Sequence, residues 1–270
     1  MASHTPTAVT ISDAVVSYHR QPVLSDFNLD IHPGESVALT GSNGSGKSTL
    51  IKAVLGLTPL SAGRIELFGR RRLNRRVRAR IGYVPQRADG QGNIPTTVYE
   101  TVASGRLNRR PTGFPATRDD RVATWEAIAA VDLNVLARKP MGELSGGQQQ
   151  RAYIARALAG APDMLIMDEP TVGVDVETQE LLTEVIARKL DEGCTLVLVT
   201  HEAGPLQQYL HRTVHLHRGR KAYDGPSESK PGPSGDSQGC LHPDQLGDTD
   251  TTGLRGLNDL RPNDSGGVRR

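Results

Sequence analysis

Short apolar runs separated by amphipathic segments make up much of the chain. Three of these runs, Ile81–Val84, Met164–Met167 and Thr195–Val199, contain few polar residues. A short continuous apolar run is typical of a parallel strand that helices cover on both faces. Between the last two runs, Glu177–Leu190 places its apolar residues on one side at helical spacing. This alternation of strands and helices predicts an α/β fold with a mostly parallel sheet.

Other strand patterns lie near both ends of this region. Val9–Ser17 and Val23–Ile31 flank a turn, and a further strand pattern follows at Gly63–Phe68. Together they predict an N-terminal antiparallel β subdomain. Thr213–Leu216 and Arg220–Tyr223 predict a closing hairpin around a glycine.

The composition along the chain predicts its domain boundaries. Residues 96–156 form a helical insertion, in which Thr97–Ala103 and Arg118–Val131 have the clearest helical pattern. After Gly225 the chain is rich in glycine and proline and has no aromatic residue. Such a segment cannot bury enough apolar surface to offset its ordering entropy. We therefore expect one domain over residues 7–225 and a disordered tail over 226–270.

Composition and charge add few constraints. The 270 residues carry a formal net charge of +2, which indicates no particular class of partner. Cys194 and Cys240 have neither metal-site spacing nor the pattern of a disulfide framework. Residues 1–12 lack the apolar segment of a signal peptide, and no run approaches the roughly 20 apolar residues that span a bilayer. We expect any membrane role to come through a partner.

The segment from Gly69 to Arg80 is strongly basic. Its seven arginines are residues 70, 71, 72, 75, 76, 78 and 80. Such a run is either a solvated face or a surface that contacts phosphate groups of lipid or nucleic acid. It has no interleaved aromatic residues for base stacking.

A glycine-rich phosphate-binding pattern lies between the predicted strand Val37–Leu39 and the predicted helix Leu50–Leu55. Its nine residues are Gly41, Ser42, Asn43, Gly44, Ser45, Gly46, Lys47, Ser48 and Thr49. Glycine lets backbone N–H groups curl around an anion, and the helix start adds further N–H groups. We expect Lys47 to reach the β- and γ-phosphates of ATP and Ser48 to hold Mg²⁺.

Asp168 and Glu169 follow directly on the apolar run that ends at Met167. In an open parallel sheet, ligands bind at the carboxyl ends of the strands. Asp168 is therefore a predicted Mg²⁺ ligand, and Glu169 is predicted to orient or deprotonate the water that attacks ATP. The alternative is that the two carboxylates only cap the next segment.

The segment Leu144–Gln148 precedes a predicted helix that ends near Ala159. Ser145 and Gln148 have the spacing of a capping box, which would simply begin the helix. Gly146 and Gly147 would also leave free N–H groups at a helix start, as in a second anion site. The residues alone leave both interpretations open.

The sequence Leu144-Ser-Gly-Gly-Gln148 resembles the signature of ATP-binding cassette (ABC) ATPases. Other motifs of that family follow in the expected order over residues 9–225. Gln86 resembles the Q-loop glutamine, Val172–Asp175 the D-loop, and His201 the switch histidine. Tyr18 resembles the aromatic residue that stacks on adenine, although a tyrosine at such a position is by itself more often an ordinary strand aromatic.

The resemblance implies a P-loop NTPase core and a head-to-tail dimer of two ATPase subunits. Each ATP would lie between the Gly41–Thr49 loop of one chain and Ser145, Gly146 and Gly147 of the other. Motion would pass through the Gln86 loop and the helical insertion to integral-membrane permease subunits. The subunit would lie peripherally on the cytoplasmic face of the membrane, with an extracellular substrate-binding protein as an indirect partner and no nucleic acid.

The implied site residues fall into three groups. Those implied for catalysis are Glu169, His201 and Gln86. Those implied for Mg²⁺ are Ser48, Gln86 and Asp168. Those implied for ATP are Tyr18, the nine residues 41–49, Ser145, Gly146, Gly147, Gln148 and Asp175.

Within the family, several stretches resemble zinc- and manganese-type importers. They are Ile81–Gln86, Ile94–Val98, Val102–Gly105 and Thr171–Asp175. Alternatives are an ATPase for iron-siderophore or cobalt uptake or for efflux, and a soluble regulatory or nucleic-acid-linked cassette. The histidines 211, 215 and 217, and the tail residues Cys240 and His242, do not have the spacing of a metal site.

Overall fold

In the computed structural model, the described residues are 7–19, 21–86, 95–201 and 203–227. Ile94 of the stretch Ile94–Val98 lies outside these ranges, and so do residues 228–270 of the predicted tail with Cys240 and His242. Every structural statement below concerns the described residues.

The described chain forms nine strands and six α-helices. The strands are β1 (Val9–Tyr18), β2 (Gln21–Ile31), β3 (Ser36–Gly41), β4 (Ala62–Leu67), β5 (Ile81–Val84), β6 (Met164–Asp168), β7 (Thr195–Val199), β8 (Arg212–His217) and β9 (Arg220–Pro226). The α-helices are α1 (Lys47–Val54), α2 (Arg75–Arg78), α3 (Val98–Ser104), α4 (Arg118–Ala130), α5 (Gly146–Ala159) and α6 (Val176–Asp191). The α/β class and the predicted strands are confirmed.

The larger sheet has the order β5-β6-β7-β3-β8-β9. Its first five strands run parallel, and β9 pairs antiparallel with β8. Every residue of β6 and β7 is buried, as their apolar sequences predict. Because β5, β6, β7 and β3 are parallel neighbours, their carboxyl ends meet at one edge of the sheet.

The smaller sheet has the order β2-β1-β4 and is antiparallel, which confirms the predicted β subdomain. Helix α1 lies between the two sheets. Its buried residues Leu50, Ile51 and Val54 share one core with Phe27 of the smaller sheet and Ile166 of the larger sheet. This packing fixes the start of α1, and with it the glycine-rich loop that precedes the helix.

The predicted helical insertion contains α3, α4 and most of α5. Capping boxes begin α3 at Thr97 and α4 at Thr117, where the side chain at the third helical position bonds back to the cap. Helix α5 continues to Ala159 and packs against β5. It therefore connects the helical insertion to the sheet.

The turn of the β8–β9 hairpin contacts the glycine-rich loop. The Gly219 N–H in its turn donates to the Ser45 carbonyl at 2.9 Å, and the Gly219 carbonyl accepts from Ser25 N–H at 3.1 Å. A Cβ at Gly219 would lie 2.1 Å from the carbonyl oxygen of Val23, so only glycine fits. Strand β9 extends past the predicted boundary to Pro226.

Arg212 holds this hairpin in place. Its guanidinium bonds both carboxylate oxygens of Asp224 in β9, and it reaches Glu35 at 3.1 Å and the Asp30 carbonyl at 2.9 Å. Burial alone would raise the pKa of Asp224, but hydrogen bonds from Arg212 and Lys221 outweigh that effect and lower the pKa. The charged pair therefore stabilises the folded state.

We expect Arg212→Gln to lower the free energy of unfolding by about 2–3 kcal/mol, because it removes several charge-assisted hydrogen bonds.

The pair also predicts a pH dependence. Because the folded pKa of Asp224 lies below its ordinary value of 3.8, the contribution of Asp224 to the free energy of unfolding is complete above that pH and is lost as the pH falls further. Urea unfolding at neutral and acidic pH measures both effects.

The matched control is Arg220→Gln in the same hairpin. Arg220 lies 3.8 Å from Asp26, and both side chains are about 70% exposed. Loss of an exposed pair should change stability by less than about 0.5 kcal/mol. Equal losses in the two variants would contradict the role given to Arg212.

Candidate functional site

The glycine-rich loop joins the end of β3 to α1 in a tight turn. Gly41, Gly44 and Gly46 have φ of 147°, 78° and 106°, a region that favours glycine. A Cβ at Gly41 would lie 2.3 Å from the carbonyl oxygen of Leu216, and one at Gly46 would lie 2.8 Å from the Leu24 side chain. The loop can therefore close this tightly only with glycine at these positions.

Lys47 lies across the loop at the start of α1. Its Nζ donates hydrogen bonds to the carbonyl oxygens of Gly41 at 2.7 Å and Ser42 at 3.1 Å. Burial lowers the pKa of Lys47, while the nearby carboxylates of Glu169 and Asp168 act in the opposite direction. The ammonium group is thus held at the loop, where it could exchange carbonyl oxygens for phosphate oxygens. That exchange stays a prediction.

Asp168, the last residue of β6, accepts a hydrogen bond from the Ser48 hydroxyl at the start of α1. Burial and the adjacent Glu169 raise the pKa of Asp168, and the bond from Ser48 and the charge of Lys47 only partly oppose them. The Asp168 carboxylate and the Ser48 hydroxyl supply oxygen donors, which suit Mg²⁺. A cation at this place would relieve the charge that raises the pKa.

The donor set has too few protein ligands for a metal cage. Over the ranges that the structure describes, there is no group of three or more His, Cys, Asp or Glu residues that could hold a metal ion. Mg²⁺ usually binds one or two carboxylates together with substrate phosphates and water. The residues present therefore fit a Mg²⁺ ion that arrives with ATP.

Glu169 lies between Gln86 and His201, so the structure brings these three residues together, and their catalytic roles stay predictions. The Gln86 amide nitrogen donates to one carboxylate oxygen at 2.5 Å, and His201 Nε2 is 3.3 Å from the other. Glu169 has φ of 49°, an uncommon value for a residue other than glycine, and its N–H donates to the Val199 carbonyl at 2.9 Å. No local feature of the sequence indicates this left-handed conformation.

Ser145 begins α5 with a complete capping box. The Gln148 N–H donates to the Ser145 hydroxyl at 3.3 Å, and the Ser145 N–H donates to the Gln148 side chain at 3.0 Å. The capping interpretation is therefore correct. It does not exclude an anion site, because the N–H groups of Gly146 and Gly147 in the first turn have no partner four residues earlier within the helix.

Asp175 caps the start of α6, next to the start of α5. Its carboxylate accepts from the Thr178 N–H at 2.9 Å and from the Thr178 hydroxyl at 3.2 Å. The Thr178 backbone bond is the main cause that lowers the pKa of Asp175. A Cβ at Gly147 would lie 3.2 Å from Asp175 Oδ2. The predicted nucleotide contact of Asp175 stays a prediction, and its carboxylate already has a capping role.

The starts of α5 and α6 border a shared groove of about 550 Å³. Ser145 and Gln148 line one side, and Asp175, Thr178 and Glu180 line the other. The motifs Leu144–Gln148 and Val172–Asp175 belong to one family pattern, but the sequence does not show that they lie side by side. No local signal could have shown it, since the contact depends on the packing of two helices.

Tyr18 is the last residue of β1, and 43% of it is exposed. Its hydroxyl is 3.2 Å from the Thr58 hydroxyl, in the segment between α1 and β4. The contact to Thr58 holds the ring in position, and the ring stays exposed. A residue that stacks on a base needs both properties. Sequence analysis missed Thr58, which has no motif of its own.

The histidines of the C-terminal strands serve local contacts. His211 Nδ1 accepts from the Ser36 N–H at 3.4 Å, and His215 Nδ1 is 3.0 Å from the Thr40 hydroxyl. Thr40 immediately precedes the glycine-rich loop, so His215 supports the loop from the neighbouring strand. The sequence pattern does not indicate this contact, because Thr40 and His215 lie far apart along the chain.

None of the helices in the described ranges is both long enough and apolar enough to cross a membrane.

Comparison with known proteins identifies the relatives of this chain. A family model described as "ABC transporter" matches residues 24–172. The chain is 36% identical over 221 residues to the manganese transport system ATP-binding protein MntB of Bacillus subtilis (strain 168), covering 82% of this chain and 87% of that protein. It is 38% identical over 215 residues to the high-affinity zinc uptake system ATP-binding protein ZnuC of the same strain, covering 79% and 92%.

Among solved structures, the fold resembles the ATP-binding cassette MJ0796, whose structure is described as a dimeric post-hydrolysis state bound to ADP and Pi. The TM-score is 0.71 and the identity is 28%, covering 81% of this chain and 98% of that one. The family model covers more than half of the chain, and both relatives align over more than two thirds of it. The chain therefore belongs to the ABC transporter family, as one of its ATP-binding cassettes.

Proposed function

We propose that this chain is the ATP-hydrolysing subunit of an importer for zinc or manganese ions. Two copies would bind two ATP molecules between them on the cytoplasmic face of the membrane and drive integral-membrane permease subunits. ATP hydrolysis coupled to transport is the activity of the cassettes to which this chain belongs. The assignment of the ion, the site residues and the arrangement of partners are the proposed parts.

The observation that carries the proposal is the convergence of the phosphate loop, Asp168 and the Glu169 cluster at one edge of the sheet. Lys47 is placed to bind the terminal phosphates. Glu169 is placed to orient and deprotonate the attacking water, with His201 as a contact to the γ-phosphate. These roles need three adjacent strand ends, which β6, β7 and β3 provide.

Ser48, Asp168 and Gln86 are the proposed Mg²⁺ ligands. The Gln86 amide nitrogen donates to Glu169, which leaves its amide oxygen as the atom that can bind a cation. When bound, Mg²⁺ would neutralise negative charge on the phosphates. Gln86 thus connects the cation, the catalytic carboxylate and the segment that follows β5.

The predicted second anion site at the start of α5 would suit a head-to-tail dimer. The phosphate loop lies at the end of β3, whereas Ser145, Gly146 and Gly147 begin a helix of the helical insertion. The solved structure of a related cassette is a dimer with ADP and Pi. We therefore assign the first turn of α5 to the γ-phosphate of an ATP bound to the other chain.

Exposed apolar residues on the helical insertion suit a protein partner. Leu107, Phe114 and Trp125 are 53%, 64% and 44% exposed. In the sequence, Gln86 of the catalytic cluster lies shortly before this insertion. We propose the insertion as the contact to the permease, and an extracellular substrate-binding protein as the component that delivers the ion to it.

The ion follows from the relatives, among them a manganese and a zinc transport protein. The test is co-expression with a candidate permease and binding protein, followed by uptake of radiolabelled zinc and manganese into vesicles. ATP-dependent uptake of either ion is expected. Uptake of cobalt or of an iron-siderophore in place of zinc and manganese would contradict the proposed substrate. Salt-dependent RNA binding without any uptake would favour the nucleic-acid-linked alternative.

We expect Glu169→Gln to bind ATP with nearly unchanged affinity but to lose turnover by at least about a hundredfold, because the amide cannot act as a base. The variant should accumulate as an ATP-bound dimer, seen by size-exclusion chromatography with light scattering. The control is Glu126→Gln on the exposed face of α4, which should hydrolyse ATP normally. Wild-type turnover by Glu169→Gln would exclude Glu169 from the proposed role.

We expect Tyr18→Ala to weaken ATP binding about 5- to 100-fold, because stacking of a base on an aromatic ring contributes roughly 1–3 kcal/mol. Tyr18→Phe keeps the ring and loses only the hydroxyl contact to Thr58, so it should bind ATP almost as wild type does. Fluorescence titration with a nucleotide analogue measures both. An equal loss in the two variants would assign Tyr18 a structural role only.

A further inference from the structure

The arginine-rich segment is not used by the proposed ATPase site, although it carries seven arginines within residues 69–80. We define the arginine surface as the exposed residues Arg64, Arg70, Arg71, Arg72, Arg75, Arg76 and Arg78. They lie on β4, on the turn that follows it and on α2. The arginines are therefore not part of the glycine-rich loop or of the starts of α5 and α6, which form the candidate ATP site.

Carboxylates compensate little of this charge. Glu66 lies 2.9 Å from Arg71 and 3.7 Å from Arg64. The side chains of Arg70 and Arg76, like that of Arg72, form no ion pair or hydrogen bond with any residue in the described ranges. This part of the surface therefore carries net positive charge with free guanidinium donors.

Arg80, the last arginine of the run, differs from the others. It pairs with Asp163, and its guanidinium lies 3.7 Å from the centre of the Phe68 ring. Arg80 is therefore a structural residue, and it covers the aromatic side chain that follows β4. The surface is left with cationic groups but without an open ring on which a nucleic-acid base could stack.

An apolar groove of about 340 Å³ adjoins the arginine surface. Its floor includes Val54, Leu60, Ile65, Leu67 and Leu73. Its rim carries three arginines of the surface, Arg64, Arg70 and Arg71. Leu57, in the segment that borders the groove, is 62% exposed. A ligand that matches this surface combines a phosphate group with an apolar part.

We propose that the arginine surface and its groove bind anionic phospholipid of the cytoplasmic leaflet. The guanidinium groups bind headgroup phosphates in their planar, bidentate geometry, and the groove takes the adjoining apolar part of the lipid. The inference rests on the proposed function, which places the chain at this membrane. A nucleic acid fits less well because the surface offers phosphate contacts without base stacking.

The test is flotation of the full chain with vesicles of phosphatidylcholine alone or with phosphatidylglycerol added. The wild-type chain should bind the anionic vesicles, and binding should weaken with salt. Each arginine near an anionic surface strengthens binding about fivefold, so the triple variant Arg70→Gln, Arg72→Gln, Arg76→Gln should bind roughly a hundredfold more weakly. Soluble glycerophosphate at matched ionic strength should not displace the lipid, because it lacks the apolar part.

The matched control removes three other exposed arginines, as Arg118→Gln, Arg121→Gln, Arg138→Gln. It has the same net charge as the first variant and should bind vesicles as the wild type does. Equal loss in the two triple variants would overturn the proposal in favour of nonspecific charge attraction. Binding of RNA in preference to anionic vesicles would also overturn it.

The ATPase assay separates this inference from the proposed function. The triple variant at Arg70, Arg72 and Arg76 should hydrolyse ATP in solution as the wild type does. A wild-type chain that hydrolyses ATP but does not bind anionic vesicles would refute the lipid surface alone. A chain that binds the vesicles but neither hydrolyses ATP nor supports uptake would refute the proposed function alone.

Discussion

The candidate site depends on the parallel alignment of neighbouring strands in the larger sheet. Gln86 follows β5, Glu169 follows β6, and His201 lies after β7. Backbone hydrogen bonds hold these strands side by side, so residues far apart along the chain meet at the carboxylate of Glu169. The phosphate loop joins them because β3 is the next parallel strand. The sheet, more than any contact among the site side chains, sets the positions.

The phosphate loop needs support as well as alignment. The glycines make the loop conformationally free, so contacts from outside the loop must hold its shape. The hairpin turn supplies one such contact, the hydrogen bond from the Gly219 N–H to the Ser45 carbonyl. Arg212 fixes that hairpin by joining β8 to β9 and to the turn before β3. The stability of this edge of the fold and the geometry of the nucleotide site are therefore linked through the same few residues.

The sequence predicted the elements well and their contacts only in part. Buried strands such as β6 and capped helices such as α5 have local signals, since apolar runs and capping residues lie within a few positions. The left-handed backbone of Glu169 and the closeness of Asp175 to Gly147 depend on tertiary packing, which has no local signal. The arginine run shows the same limit, because its sequence could not separate Arg80, which pairs with Asp163, from the free Arg76.

The start of α5 shows how one segment can satisfy two demands. A capping box consumes the Ser145 hydroxyl and the Gln148 side chain, yet it leaves the first N–H groups of the helix without intrahelical partners. In an isolated chain these groups bind water. In the proposed dimer they would face the phosphate of an ATP on the other chain, and the positive end of the helix dipole would favour that anion. The capped helix start is therefore compatible both with a stable single chain and with the proposed dimer that forms around ATP.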